Sequence, residues 1–369
     1  MSEIPLELCR EILSLLPAEP LLRFRCVCKS WRETIDDPIF IRLHLDRQLL
    51  NARDSSNGVG RLILRGDLDN RFYSLPIDSV NSDTVKPTLL KHTPTHEWTN
   101  SPLSSCNGVI LISYSKRNYL LWNPLTRDLH NLPPVTTMSK KTRGLYHSVS
   151  GLGYDSASND FKVVKIAQIF DPRDRSLKSE TMLYSLKSGS WRKINDFPYR
   201  ISRLSGAVFL EGALHWISGT LPLKHTDDLI VGLDLSTGEY RLLPLPFDVY
   251  GYEKPLAKHL SALGGCLILC CCSRVERLDV WSMEDYGLEN SWVKLFSVGV
   301  SDFVGLVVTL RPIAYSKRRG EVLLQHDKKE FVWFDLETKL VKKKIRIHRQ
   351  PTMFSSLFSV ASLVRLNSR

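Results

Sequence analysis

No run of eighteen apolar residues occurs in the chain, so no segment is expected to cross a membrane as a helix. Met1-Ser2-Glu3 offers neither a basic n-region nor an apolar h-region, and no secretory leader is expected. Cysteine is sparse, eight in 369 residues, and its placement is unlike a disulfide framework. Cys26 and Cys28 fall in a helical segment, and Cys270-Cys271-Cys272 are consecutive in an apolar run. Neighbours on a strand point to alternate faces, which makes a poor tetrahedral metal site. Buried free thiols in a reducing compartment are therefore expected, which places the protein in the cytoplasm, the nucleus or both.

Catalytic signatures are missing as well. There is no Gly-x-Ser-x-Gly elbow and no Walker-type lysine loop. His92 and His96 are four apart, but Pro94 breaks the helix that a His-Glu-x-x-His site needs, and Glu97 lies outside the pair. Gly151-Leu152-Gly153 lacks the third glycine of a dinucleotide fingerprint. His215 sits in an apolar run, where a satisfied core role is expected. No catalytic residue, cofactor or metal is assigned.

Acid is in deficit: 39 acidic against 50 basic residues leave a net charge of +11. Much of the excess is late, at Lys317-Arg318-Arg319, Lys328-Lys329, Lys342-Lys343-Lys344 and Arg346 to Arg349. An acidic protein partner, nuclear import and nucleic acid are the functional readings. Solvated turns and an exposed edge strand, whose lysines discourage strand pairing, are the plainer one. The alternation of Lys342, Lys344 and Arg346 with Lys343, Ile345 and Ile347 favours the strand, and nucleic acid is the disfavoured partner. Composition is otherwise that of a globular protein, 43% hydrophobic and 24% charged.

What is present in excess is apolar surface in the first 45 residues. Pro5 and Pro17 bracket a helix. At about 100° per residue, Leu15, Leu8, Ile12, Leu16, Cys9, Leu13 and Leu6 cover an arc of about 180°. A surface helix needs roughly 100°, so this one is built to bury two sides. Short helices are expected over Glu19 to Arg25 and Lys29 to Ile35. Asp37-Pro38 then caps and opens a fourth helix to about Leu45. So small a module cannot enclose a large core alone. From pattern alone it could also be a cap on the following domain.

The residues themselves resemble the F-box: Ile4-Pro5, Leu8, Ile12-Leu13 and Leu16-Pro17 along the first helix, Leu22-Arg23 in the second, Val27-Cys28-Lys29-x-Trp31 in the third, then Asp37-Pro38-x-Phe40. Ile4 in place of the usual Leu is the visible departure. The resemblance implies that these residues, Ile4 through Trp31, dock on a Skp-type adaptor and through it on cullin and RING subunits of a ubiquitin ligase.

Beyond residues 46–59, read as a linker, helical periodicity gives way to short apolar runs and turns. One element recurs six times, at Phe72-Tyr73-Ser74-Leu75, Leu121-Trp122-Asn123, Leu183-Tyr184-Ser185, Gly232-Leu233-Asp234, Val280-Trp281-Ser282 and Trp333-Phe334-Asp335. Its polar residues are spaced 49, 62, 49, 48 and 53 apart. A turn with Gly, Asn or Asp followed by an apolar run precedes it, as at Asn107-Gly108 and Gly264-Gly265. Trp191-Arg192-Lys193-Ile194 and similar runs follow. Four short strands per roughly 50 residues describe a kelch-like β-propeller. The expected fold is mainly β: a helical F-box at 1–45, then six blades over 60–369, closed by Leu357 to Val364 pairing with an N-terminal blade. An unclosed pair of sheets is the alternative.

The order of the elements resembles plant F-box proteins with an F-box-associated, kelch-like domain. Trp122-Asn123-Pro124-x-Thr126-Arg127, Gly151 to Asp155 and Gly212-Ala213-Leu214-His215-Trp216 carry the likeness. It implies a non-catalytic substrate receptor that sends a protein to ubiquitination and proteasomal degradation. Within the family the chain resembles members that restrain immune signalling by targeting intracellular immune receptors. A propeller enzyme with a helical cap and a basic nucleic-acid-binding protein are the competing readings. Substrate contacts are expected on irregular connections, namely 77–102, 134–150, 170–181, 222–229 and 247–259, with no single residue singled out.

Overall fold

The structure is a computed structural model that describes residues 5–54, 60–91, 93–94, 104–115, 117–137, 144–202, 206–219, 228–246, 257–272, 277–299, 310–316 and 318–367. Four helices come first: α1 (Leu6–Ser14), α2 (Ala18–Phe24), α3 (Lys29–Asp36) and α4 (Pro38–Asp54). Pro5 and Pro17 precede α1 and α2. At the start of α3, Cys28 Sγ accepts the Trp31 N–H at 3.4 Å. Asp37 Oδ1 accepts the Ile39 N–H at 2.9 Å, which caps α4 as its Asp-Pro start implies. α4 runs on past Leu45 through residues expected to be linker. His44, Leu45 and Gln48 are all buried, so inward packing sustains the helix. Residues 55–59 lie outside the described residues. None of the described helices is long and apolar enough to cross a membrane.

Six antiparallel sheets follow, each listed here from its innermost strand outward. Blade 1 is Phe354–Val360, Gly60–Gly66, Phe72–Pro76 and Thr88–Leu89. Blade 2 is Ser104–Cys106, Val109–Ser113, Tyr119–Trp122 and Leu129–Asn131. Blade 3 is Leu145–Asp155, Asp160–Phe170, Leu177–Ser185 and Ser190–Ile194. Blade 4 is Val208–Leu210 with Arg200–Ile201, then Ala213–Gly219, Asp228–Asp234 and Tyr240–Leu243. Blade 5 is Ala257–Leu263, Cys266–Cys272, Arg277–Met283 and Trp292–Gly299. Blade 6 is Leu310–Tyr315, Glu321–His326, Glu330–Asp335 and Val341–Ile347. Each innermost strand touches the next, and that of blade 6 touches that of blade 1, so the ring is closed.

All six recurrent sequence elements fall on third strands. Their apolar residues fill the layers between blades, where Trp122, Tyr184, Leu233 and Phe334 are among the buried side chains. In blades 2, 3, 4 and 6 the polar residue of the element starts the turn into the fourth strand, whereas Ser74 and Ser282 still pair within the sheet, opposite Thr88 and Val293. Asp234 Oδ1 accepts the N–H groups of Ser236 (2.8 Å) and Thr237 (3.0 Å). Asp335 Oδ1 takes those of Glu337 (3.0 Å) and Thr338 (2.8 Å). Asn123 Oδ1 does the same for Leu125 at 3.0 Å. Side chains that bond their own backbone two or three residues on suit such turns.

Closure is double. The C-terminal strand pairs antiparallel with Gly60–Gly66, from Gly60 opposite Val360 to Gly66 opposite Phe354. The segment after Phe72–Pro76 also crosses to blade 6, where Thr84–Val85 pairs in parallel with Arg346 and Ile347. Trp333 Nε1 donates to the Val80 carbonyl at 2.6 Å there. The lysine-rich strand Val341–Ile347 was expected to be an exposed edge. This pairing corrects that expectation at its far end. Cys270 and Cys271 are buried, and none of the eight cysteines, all among the described residues, forms a disulfide.

The helices lie against the end of the ring where first strands turn into second strands. Three contacts fix this. Arg61 pairs with Glu19 at 3.1 Å. Arg42 donates to the Tyr154 hydroxyl, and its guanidinium stands 5.0 Å from that ring's centroid. Arg365 lies 3.6 Å from Asp36 and 3.8 Å from Asp128.

Candidate functional site

Helix α1 is apolar on two sides, and the two sides have different fates. Leu13, 1% exposed, joins Ala18, Leu21, Ile35 and Phe40 in the core of the helical module. Beside it, buried Ser14 donates its hydroxyl to the Glu11 carbonyl at 2.7 Å and accepts from Arg47. Arg10 donates to Asp37 at 2.8 Å. His44 of α4 is also buried, and its Nε2–H donates to the Leu16 carbonyl at 2.9 Å. Burial holds this imidazole below its ordinary pKa, so it is neutral.

The other side of α1 faces solvent. Leu8 is 54% exposed, Ile12 55% and Leu15 73%. At about 100° per residue these three occupy an arc of only about 60°. A helix packed on one face normally turns polar residues to water on the other. Three aliphatic side chains together there, each worth about 1.5–3 kcal/mol on full burial, describe a surface made to be covered. Leu6 on α1, Val27 between α2 and α3, and Ile39 at the start of α4 are exposed too.

Family models match the chain in both parts. Residues 1–43 match the F-box domain, and residues 67–361 match the F-box associated beta propeller domain. The chain belongs to the F-box proteins with an associated β-propeller. It is similar to F-box protein CPR1 of Arabidopsis thaliana, with 34% identity over 99% of this chain and 89% of that protein. F-box/kelch-repeat protein At3g23880 from the same plant is 30% identical over 83% of this chain and 85% of its own length.

In this F-box protein the expected docking residues divide into three groups. Pro5, Leu8, Ile12, Pro17, Arg23, Val27, Cys28 and Lys29 are exposed. Leu16, Leu22 and Trp31 are partly buried against the F-box core, with the Trp31 ring 5.5 Å from that of Phe24. Leu13 is inside the core, behind the exposed stripe. Ile4 lies outside the described residues. Leu15, Leu6 and Ile39 are exposed apolar residues outside the expected docking set, although Leu15 and Leu6 lie on the apolar arc of the first helix. The signal for Leu15 was available, since it neighbours Leu8 on the helical wheel.

The propeller's other end carries the second-to-third and fourth-to-first connections. Among the described ones are the hairpins after Gly66, Phe170 and His326, and the return from Ile347 to Phe354. Of the five irregular connections expected to touch substrate, 170–181 is described in full and sits at this end. Much of the other four, and the His92–His96 pair, lie outside the described residues. His215 has the core role expected. Its Nδ1–H donates to the Val208 carbonyl (3.1 Å), and Nε2 accepts from the Tyr286 hydroxyl (2.6 Å). Burial pushes its pKa down to about 4. Among the described residues, no group of three or more His, Cys, Asp or Glu could hold a metal ion.

Proposed function

We propose that the protein is the non-catalytic substrate-recognition subunit of a Skp–cullin–F-box ubiquitin ligase. The observation that carries this is the stripe of Leu8, Ile12 and Leu15, exposed on an F-box helix whose opposite side is already packed. A Skp-type adaptor covers the stripe and brings the cullin and RING subunits. The propeller holds a protein substrate by connections at the end away from the helices. The firm seating of the F-box on the ring gives the two ends a set spacing. The receptor thus supplies proximity, which raises the effective concentration of a substrate lysine near the charged ubiquitin carrier.

Proteasomal degradation is the proposed outcome for the substrate, and cytoplasm, nucleus or both the proposed location. An intracellular immune receptor or another signalling protein is the proposed cargo class, on the strength of the family resemblance in the repeats. Proximity labelling under proteasome inhibition tests these points together, comparing the full chain with a Leu8→Asp/Ile12→Asp variant. A shared set of labelled proteins, ubiquitin-conjugated only with the parent chain, supports the reading. Equal conjugation with both chains contradicts it.

A further inference from the structure

We infer that Ala361 to Leu366, which follow the closing strand, are positioning residues of the docking face, so that the F-box becomes competent only once the propeller ring has closed. This rests on the docking reading of α1 and adds to it a requirement lying outside the F-box motif.

The F-box core is incomplete without the chain's other end. Leu13, Ala18, Leu21, Ile35 and Phe40 share one apolar cluster with Ala361 and Leu363, the latter 2% exposed. The tail has no freedom to wander. Asn123 Nδ2 donates to the carbonyls of Ser362 and Val364, both at 2.9 Å. The Val364 N–H reaches Ser362 Oγ at 3.1 Å. Arg365 lies between Asp36 of α3 and Asp128 of blade 2. Leu366 is buried in the layer between blades 2 and 3. Gly108 marks how close the tail runs: a Cβ there would stand 2.3 Å from Ser362 Cβ, and its φ is +81°.

Ring closure sets this arrangement directly. Val360 is the last residue paired with Gly60, and Ala361 follows it without slack. Until Phe354–Val360 has paired, Leu363 cannot be in place. A nine-residue helix is marginal alone, and a module this small does not build a sufficient core. The stripe of Leu8, Ile12 and Leu15 therefore keeps its shape only while Leu13, behind it, stays packed. Loss of the tail lowers the fraction of chains with a formed docking face. Apparent affinity falls by that fraction, although no tail atom need touch the adaptor.

The test uses the full chain with Leu363→Ala, and Leu363→Met as the conservative control. Hydrogen exchange of α1 and α2 is measured without adaptor, and association and dissociation rates with a purified Skp-type adaptor. For Leu363→Ala, exchange in α1 and α2 should accelerate by about tenfold or more, with blades 3 to 5 unchanged. Adaptor association should slow several-fold while dissociation stays near the parent value. Leu363→Met should behave as the parent. If Leu363→Ala does not fold, Leu363→Val carries the same comparison. Unchanged exchange in α1 and α2, or an equal rise throughout the ring, overturns the inference. Failure of the parent chain to bind adaptor would instead remove the docking reading, and exchange would still decide the coupling.

Discussion

Lys162 and Asp155 form an ion pair at 2.6 Å inside the propeller, with both side chains buried. The ammonium also donates to the Leu235 carbonyl at 2.7 Å, so the pair ties blade 3 to the third-strand turn of blade 4. Burial alone would raise the Asp155 pKa. The hydrogen bonds from Lys162 and Ser158 outweigh it, and the net direction is downward from 3.8.

Removing one partner leaves a buried charge uncompensated. Lys162→Met should lower stability by about 3–5 kcal/mol, read as a shift in the urea midpoint. Adding Asp155→Asn should recover part of that loss. The Asp155 contribution is present above pH 3.8 and is lost as pH falls through its lower folded value.

His215 gives the propeller a second, milder acid sensitivity. Its pKa is about 4 in the fold against 6.5 when unfolded, so the unfolded chain binds the extra proton first. Stability should be full above pH 6.5 and decline from there toward pH 4, by on the order of 3 kcal/mol. His259, also pushed down to about 4 by burial, adds to the same slope. Urea unfolding of His215→Gln across this range should show a flatter dependence than the parent.

Gly108→Ala should destabilise the chain by at least about 1 kcal/mol, because an L side chain is disfavoured at its φ of +81° and meets Ser362. Ala at Gly189, also at positive φ but with open space around it, should cost less. Thermal unfolding of the two variants makes the comparison. If the Gly108 variant is the milder, the tail does not run as close as described.

Much of this architecture was legible in the sequence because it repeats. Asn123, Ser185, Asp234 and Asp335 each sit where a third strand gives way to its turn, and Ser74 and Ser282 lie within third strands, so the element recurs at blade spacing. The apolar arc of α1 was legible for the same reason, as a departure from the width one packed face needs. How the arc divides was not. Leu13 turns inward to a cluster that Ala18, Leu21, Ile35 and Phe40 form with Leu363 from far along the chain, while Leu15 stays exposed. The two-residue pairing of Thr84–Val85 with blade 6 is too short to leave a periodicity. The extension of α4 depends on tertiary packing of His44 and Gln48, two polar residues that give no apolar signal.

The central claim is that an apolar stripe on α1 is a docking face and not part of the fold's own core. Titration of the full chain with a purified Skp-type adaptor tests it most directly, comparing the parent with Leu8→Asp/Ile12→Asp/Leu15→Asp. All three side chains are more than half exposed, so the variant should keep the parent's unfolding midpoint closely. Its affinity for the adaptor should fall by about a hundredfold or more, as expected when charge is forced into an apolar interface. A variant that folds normally and binds adaptor as tightly as the parent would contradict the assignment.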